Sequence, residues 1–168
     1  MSNLIAIIAG EPNSINSEII AKALKKNKKL KKLFIIGNYS LFKKQIVKLG
    51  IKIPITKINK LTDVRRERKL FILDVPLKFK KIFKINSFEV KKYVFKCFDI
   101  AHNLSINKII KGFINAPIDK KIFDNKYLGV TEYISEKNKI KNKEVMMIHN
   151  NELSVVPLTT HIEIKNVT

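Results

Sequence analysis

Leu4-Ile5-Ala6-Ile7-Ile8-Ala9-Gly10-Glu11-Pro12-Asn13-Ser14-Ile15-Asn16-Ser17-Glu18-Ile19 opens the chain's first structural unit and decides its class. Residues 4–9 are apolar and rich in isoleucine, and they stop at Gly-Glu-Pro. A short apolar run closed by turn residues reads as a buried strand. The run has no basic leader, so a first strand fits it better than a signal peptide. A helix is predicted over 17–25. Asn16 is a candidate N-cap, and Glu18 in the first turn suits the positive end of the helix dipole. Ile19, Ile20, Ala23 and Leu24 give that helix its apolar face.

The same alternation continues downstream. Residues 33–36 form the next short strand, ended by Gly37-Asn38. A helix follows from Ser40 as cap to Gly50 as stop, with Phe42, Ile46 and Leu49 inward. Residues 51–58 are extended, and Pro54 limits them to an edge or irregular segment. Residues 70–75 are a strong strand. A helical pattern over 88–103 puts Val90, Val94, Cys97 and Ala101 on one stripe, so Cys97 belongs to the core. His102 reads as a surface or cap residue at that helix's end. Residues 112–115 form a strand meeting Ala116-Pro117, with a short helix near 119–124. Thr131 caps another short helix through about Lys137. Strands 145–148 and 153–158 are joined by the turn His149-Asn150-Asn151-Glu152. Alternating strands and helices predict an α/β fold, taken as one unit over 1–168.

A chain of 168 residues can bury one core, and 45% hydrophobic with 29% charged residues is globular composition. No apolar run approaches the roughly 20 residues that span a bilayer. A single cysteine excludes an internal disulfide and suits the cytoplasm. The net charge of +20 comes almost wholly from lysine. Lys, Asn and Ile together make up nearly half of the chain, the bias that A+T-rich codons give. A basic nucleic-acid-binding protein is the alternative from another class. Its local support is Arg65-Arg66-Glu67-Arg68-Lys69 and Lys78-Phe79-Lys80-Lys81-Ile82-Phe83-Lys84, and no helix-turn-helix, zinc-finger or RNA-recognition signature accompanies them.

Four segments carry the candidate chemistry. They are Gly10-Glu11-Pro12-Asn13-Ser14-Ile15-Asn16-Ser17-Glu18-Ile19, Asn115-Ala116-Pro117-Ile118-Asp119-Lys120, Gly129-Val130-Thr131-Glu132-Tyr133 and Thr159-Thr160-His161. In order and spacing they resemble the 4-hydroxythreonine-4-phosphate dehydrogenase family of vitamin B6 (pyridoxine and pyridoxal phosphate) biosynthesis. The resemblance covers the N-terminal half of such an enzyme. It implies an α/β/α sheet of the isocitrate/isopropylmalate dehydrogenase type, truncated at about half length. It also implies NAD-dependent oxidation and decarboxylation of 4-phosphohydroxy-L-threonine, assisted by a divalent metal (zinc, magnesium or cobalt). The family works as a homodimer, so either a second copy or the missing C-terminal half is the implied partner.

Carried over by position, His161 matches a metal-binding histidine and Thr131 a substrate-contacting threonine. Val130 stands where the family has a histidine, and valine cannot replace that ring's hydrogen bonds. A related decarboxylating dehydrogenase for another hydroxy acid is therefore a further alternative. Lys120 matches a family lysine suited to an anionic phosphate or carboxylate. Glu11 stands for the family's aspartate. Ser14, Asn16 and Ser17 replace two glycines and a proline, so a changed loop shape is expected. The other metal histidines and the main NAD contacts fall in the half not represented here, and the half-length chain is expected to be inactive alone.

Overall fold

The computed structural model describes residues 3–26, 32–64, 69–140, 143–157 and 165. Its chain groups into two units, Met1–Ile122 and Phe123–Thr168, where the sequence reading draws one. No described helix is long and apolar enough to cross a membrane.

In the first unit, β1 (Ile5–Ile8) pairs with β2 (Leu33–Gly37) on one side and β5 (Gly112–Asn115) on the other. Strand β4 (Leu70–Asp74) lies against β2, and β3 (Ile55–Ile58) is an edge strand beside β4. All four pairings are parallel, giving the order β3-β4-β2-β1-β5. The first strand of the chain is thus internal to the sheet. Pro54 precedes the edge strand and contributes its carbonyl, which accepts the Leu70 N–H at 2.9 Å, so its missing N–H costs the sheet nothing.

Pairing register sorts the side chains into two faces. Ile7, Ile35 and Ile72 sit side by side and pack with Ile20, Ala21, Phe42 and Ile46. These come from α1 (Asn16–Lys26) and α2 (Tyr39–Lys48). The alternate row, Ala6, Phe34 and Phe71, points to the other face. There α3 (Ser87–Ile106) touches β1, β2 and β5. Its buried stripe is Val90, Val94, Cys97 and Ala101, as the helical spacing predicts. Phe98 of α3 meets Phe113 of β5 edge to face, with ring centroids 6.4 Å apart. Burying each such side chain stabilises the fold by about 1.5–3 kcal/mol. Helices on both faces of a parallel sheet make this unit α/β/α.

Several local expectations shift. The buried stripe of α1 runs through Ser17, Ile20, Ala21 and partly buried Leu24, while Ile19 and Ala23 are exposed. Asn16 is inside the helix instead of capping it, and the inward face lies about one residue round from the expected one. Helix α2 is capped by Asn38, not Ser40: its Oδ1 accepts the Leu41 N–H at 2.8 Å. Leu49 ends that helix and is 38% exposed, not inward. His102 lies within α3 and is buried, against the surface position expected.

The second unit contains α4 (Val130–Lys137) and a hairpin of β6 (Ile148–His149) and β7 (Ser154–Val155). Helix α4 starts after Gly129, so Thr131 is its second residue and no side chain caps it. Phe123, Tyr127 and Tyr133 hold one another, with centroids 5.4–6.0 Å apart. The Tyr127 hydroxyl donates to Glu136 at 2.8 Å, and Lys126 pairs with the same carboxylate at 3.1 Å. The antiparallel strands are shorter than expected, and Leu158 lies outside the described residues.

Candidate functional site

Where β1 ends, the chain must turn sharply, and Gly10 does so with φ of +72°. A Cβ there would strike the Asn16 amide and come within 3.0 Å of the Pro117 carbonyl. Glycine is therefore required both by the backbone and by the close approach. Neither Ser14 nor Asn16 takes a positive φ, so the loop absorbs the lost glycines without left-handed backbone at either position.

The loop after β1 is fastened to the loop after β5. Asn16 Nδ2 donates to Pro117 O at 2.7 Å and to Glu11 O at 3.2 Å. Glu11 Oε2 accepts the Asp119 N–H at 3.1 Å, and Asp119 Oδ1 in turn accepts the Lys121 N–H at 3.0 Å. On its other flank, Asn13 exchanges two hydrogen bonds with the Ile85 backbone, at 2.8 and 2.9 Å. Gln45 reaches from α2 to the carbonyls of Pro12 and Ile82, at 2.7 and 2.6 Å. These bonds gather the loops at the carboxyl ends of neighbouring parallel strands, the rim at which open α/β sheets take up ligands.

A small recess, with room for little more than one water molecule, lies at this rim and is lined in part by Gly10, Glu11, Asn16, Ser17, Gly37 and Tyr93. Asn16 Oδ1 and Ser17 Oγ are buried and have no hydrogen-bond partner among the described residues, which leaves polar capacity at this rim. The Tyr93 hydroxyl accepts the Asn38 N–H at 2.9 Å. Burial, then the neighbouring Cys97, pushes the Tyr93 hydroxyl pKa well above its ordinary value. Burial likewise pushes the Cys97 thiol up to about 12, so it is no nucleophile at neutral pH.

The sequence-derived site residues divide between the two units. Lys120 is exposed at the start of the 3-10 turn Lys120–Phe123, on the loop that Glu11 and Asn16 fasten. Thr131 is exposed and Val130 half-buried, at the start of α4 in the second unit. His161, with Thr159 and Thr160, lies outside the described residues, as do Arg65, Arg66 and Arg68. Among the described residues no three His, Cys, Asp or Glu side chains gather as metal ligands. His149 is engaged elsewhere, its Nδ1 2.7 Å from Ser154 Oγ in the hairpin. The basic stretch 78–84 is partly accounted for by packing: Lys44 Nζ sits 5.4 Å from the centre of the Phe79 ring, and Ile82 O accepts from Gln45.

Sequence reasoning assigned Asn16 to a helix cap and said nothing of Gln45 or Tyr93. The available signal was Asn16 standing where the family pattern has glycine. A side chain at such a position needs a partner across the turn, and it has one in Pro117.

Comparison with known proteins agrees with this geometry. The family model "Pyridoxal phosphate biosynthetic protein PdxA" matches residues 29–168. A 4-hydroxythreonine-4-phosphate dehydrogenase of Sulfurihydrogenibium sp. (strain YO3AOP1) is 30% identical over 171 residues, covering 97% of this chain and 51% of that protein. The protein of the same name from Aquifex aeolicus (strain VF5) is 29% identical, covering 99% of this chain and 52% of its own length. The crystal structure of 4-hydroxythreonine-4-phosphate dehydrogenase from Klebsiella pneumoniae superimposes with a TM-score of 0.84 at 21% identity, over 98% of this chain and 53% of that one. The Burkholderia phymatum structure of that name gives 0.82 at 20% identity, over 98% and 52%. The chain thus spans about half the length of the relatives it matches. These structures share its fold, and on the family match the chain belongs to the PdxA family of pyridoxal phosphate biosynthetic proteins.

Proposed function

We propose that this chain supplies the N-terminal half of a 4-hydroxythreonine-4-phosphate dehydrogenase, inactive until the other half is present. The carrying observation is the family match over 29–168, which includes the Ala116 to Lys120 loop and the start of α4. In the complete protein, the alcohol of 4-phosphohydroxy-L-threonine is oxidised, its hydride passes to NAD and its proton to solvent. The resulting keto acid then loses carbon dioxide.

This chain's own residues serve binding. The exposed Lys120 ammonium offers a point charge to a phosphate or carboxylate, and Glu11 and Asn16 hold its loop to the sheet rim. The Thr131 hydroxyl donates or accepts one hydrogen bond to substrate. Val130 offers only methyl groups, which favours a substrate altered at that contact and keeps another hydroxy acid as the second reading. The described residues do not complete a site for a divalent metal, so we derive no step through one. His161 is this chain's candidate ligand, with the remaining ligands in the other half. A cytoplasmic location and a dimeric assembly follow from the same reading.

The test joins the unmatched half of the Aquifex aeolicus relative to Thr168 and measures NAD reduction with 4-phosphohydroxy-L-threonine. Turnover is expected in the joined protein, with little or none in the 168-residue chain. Turnover by the short chain alone of order 1 per second or faster would overturn the half-enzyme reading. His161→Ala in the joined protein should lower bound metal, and unchanged metal content removes the ligand assignment.

A further inference from the structure

Two adjacent polar residues at the sheet rim are buried and only partly bonded. Asn16 is 2% exposed and Ser17 4%. One oxygen of each, Asn16 Oδ1 and Ser17 Oγ, finds no hydrogen-bond partner among the described residues. Buried polar groups in folded proteins are nearly always satisfied, by protein atoms or by ordered water. Simple rearrangement does not supply a partner for the amide. Asn16 Nδ2 donates to Pro117 O and Glu11 O, and both are carbonyls. Carbonyls only accept, so turning the amide over would set oxygen against oxygen and break both bonds. The amide oxygen is therefore fixed as an acceptor that needs a donor.

We propose that the rim recess is a binding site for one water molecule, which donates to Asn16 Oδ1 and hydrogen-bonds Ser17 Oγ. Both residues line the recess, and it has room for little more than a single water. Size excludes a phosphate or a carboxylate, and the Glu11 carboxylate on the same wall would repel either. A hard cation such as calcium takes about six or more oxygens, against the two that lack a partner here. Water suits both groups, because it donates to the amide oxygen and either donates to or accepts from the hydroxyl. The bound water holds the oxygen end of the Asn16 amide while the nitrogen end fastens Pro117. It thus keeps Asn16 in the one orientation that ties the loop after β1 to the loop after β5. Asn16 and Ser17 stand where the family pattern has glycine and proline, which carry neither oxygen, so that pattern has no such site.

Two measurements on the full 168-residue chain test this. A crystal structure should show one water oxygen within about 2.5–3.0 Å of both Asn16 Oδ1 and Ser17 Oγ. In solution, oxygen-17 relaxation dispersion counts the water molecules held longer than the protein takes to tumble. Ser17→Ala should lower that count by one, with the far-ultraviolet circular dichroism of the native chain retained. Ser40→Ala, at an exposed position on α2, should leave the count unchanged. A dry recess overturns the proposal, as do Asn16 Oδ1 and Ser17 Oγ each bonded to a protein group. An unchanged count in folded Ser17→Ala overturns it as well. So does an anomalous peak at the site in rubidium-soaked crystals, which assigns the recess to a monovalent cation. Should Ser17→Ala fail to fold, the crystal structure of the native chain decides.

Discussion

In Met1–Ile122 the large apolar side chains mostly face one another across three layers, whereas in Phe123–Thr168 those of the hairpin mostly face solvent. Both regions have similar raw material, runs of Ile, Val, Leu and Met broken by lysine. What differs is how many elements share the burial. Ile35 lies between neighbours on both sides in the sheet and beneath helices, while among the described residues Ile148 has a single cross-strand partner in Val155. Apolar content alone therefore does not make a core; a strand must be covered on the faces that carry it.

The contrast is broken most forcefully by emptying the first core. Phe98→Ala should cost about 3–5 kcal/mol of the first unit's stability, measured by urea unfolding. A loss near zero would mean that the α3 face is not a packed core. Asn16→Asp comes next. It replaces the donor to two carbonyls with a carboxylate oxygen, and should destabilise by about 1–3 kcal/mol while loosening the loop that carries Lys120. Unchanged exchange at the Asp119 amide would show that this fastening is dispensable.

Cys97 sharpens the comparison through pH. Its thiol is raised from 9.0 to about 12 in the fold. A raised pKa on an acid means that the native state holds the neutral form. The stability this contributes is complete below pH 9 and is lost as pH rises toward 12. Alkylation at pH 8 should be slow in the folded chain and fast in urea. Equal rates would place the thiol at the surface. The smallest effect belongs to the second unit: Met147→Lys in the chain alone should shift stability by no more than about 0.5 kcal/mol. A larger loss would show that Met147 is already packed.

Much of the first unit was legible. The residues of β5 were read as they stand, and the α3 stripe follows helical spacing without exception at Val90, Val94, Cys97 and Ala101. Strand order was not legible, because parallel pairings between β1 and β5 carry no local signal. The inward face of α1 was misjudged because Asn16 and Ser17 are buried for the sake of the neighbouring loop, a tertiary cause. His102 was misjudged because α3 continues to Ile106, which makes the position interior to the helix, where it is buried. In the site, the Glu11 and Pro117 segments were singled out through resemblance to a family, and their fastening to each other was not foreseen. The hydrogen bonds that join them depend on side chains at positions the family fills differently.

The hydrogen bond from Asn16 to Pro117 joins residues 101 apart in sequence. Strand β1 likewise waits for β5 before its second edge is paired. Such distant contacts return nothing until the entropy of closing a long loop has been met, which slows folding. During synthesis strand β1 must therefore remain half-paired until most of the first unit has been made. For that interval its apolar edge is open to wrong partners, and a nascent chain of this kind is one that a chaperone has reason to hold.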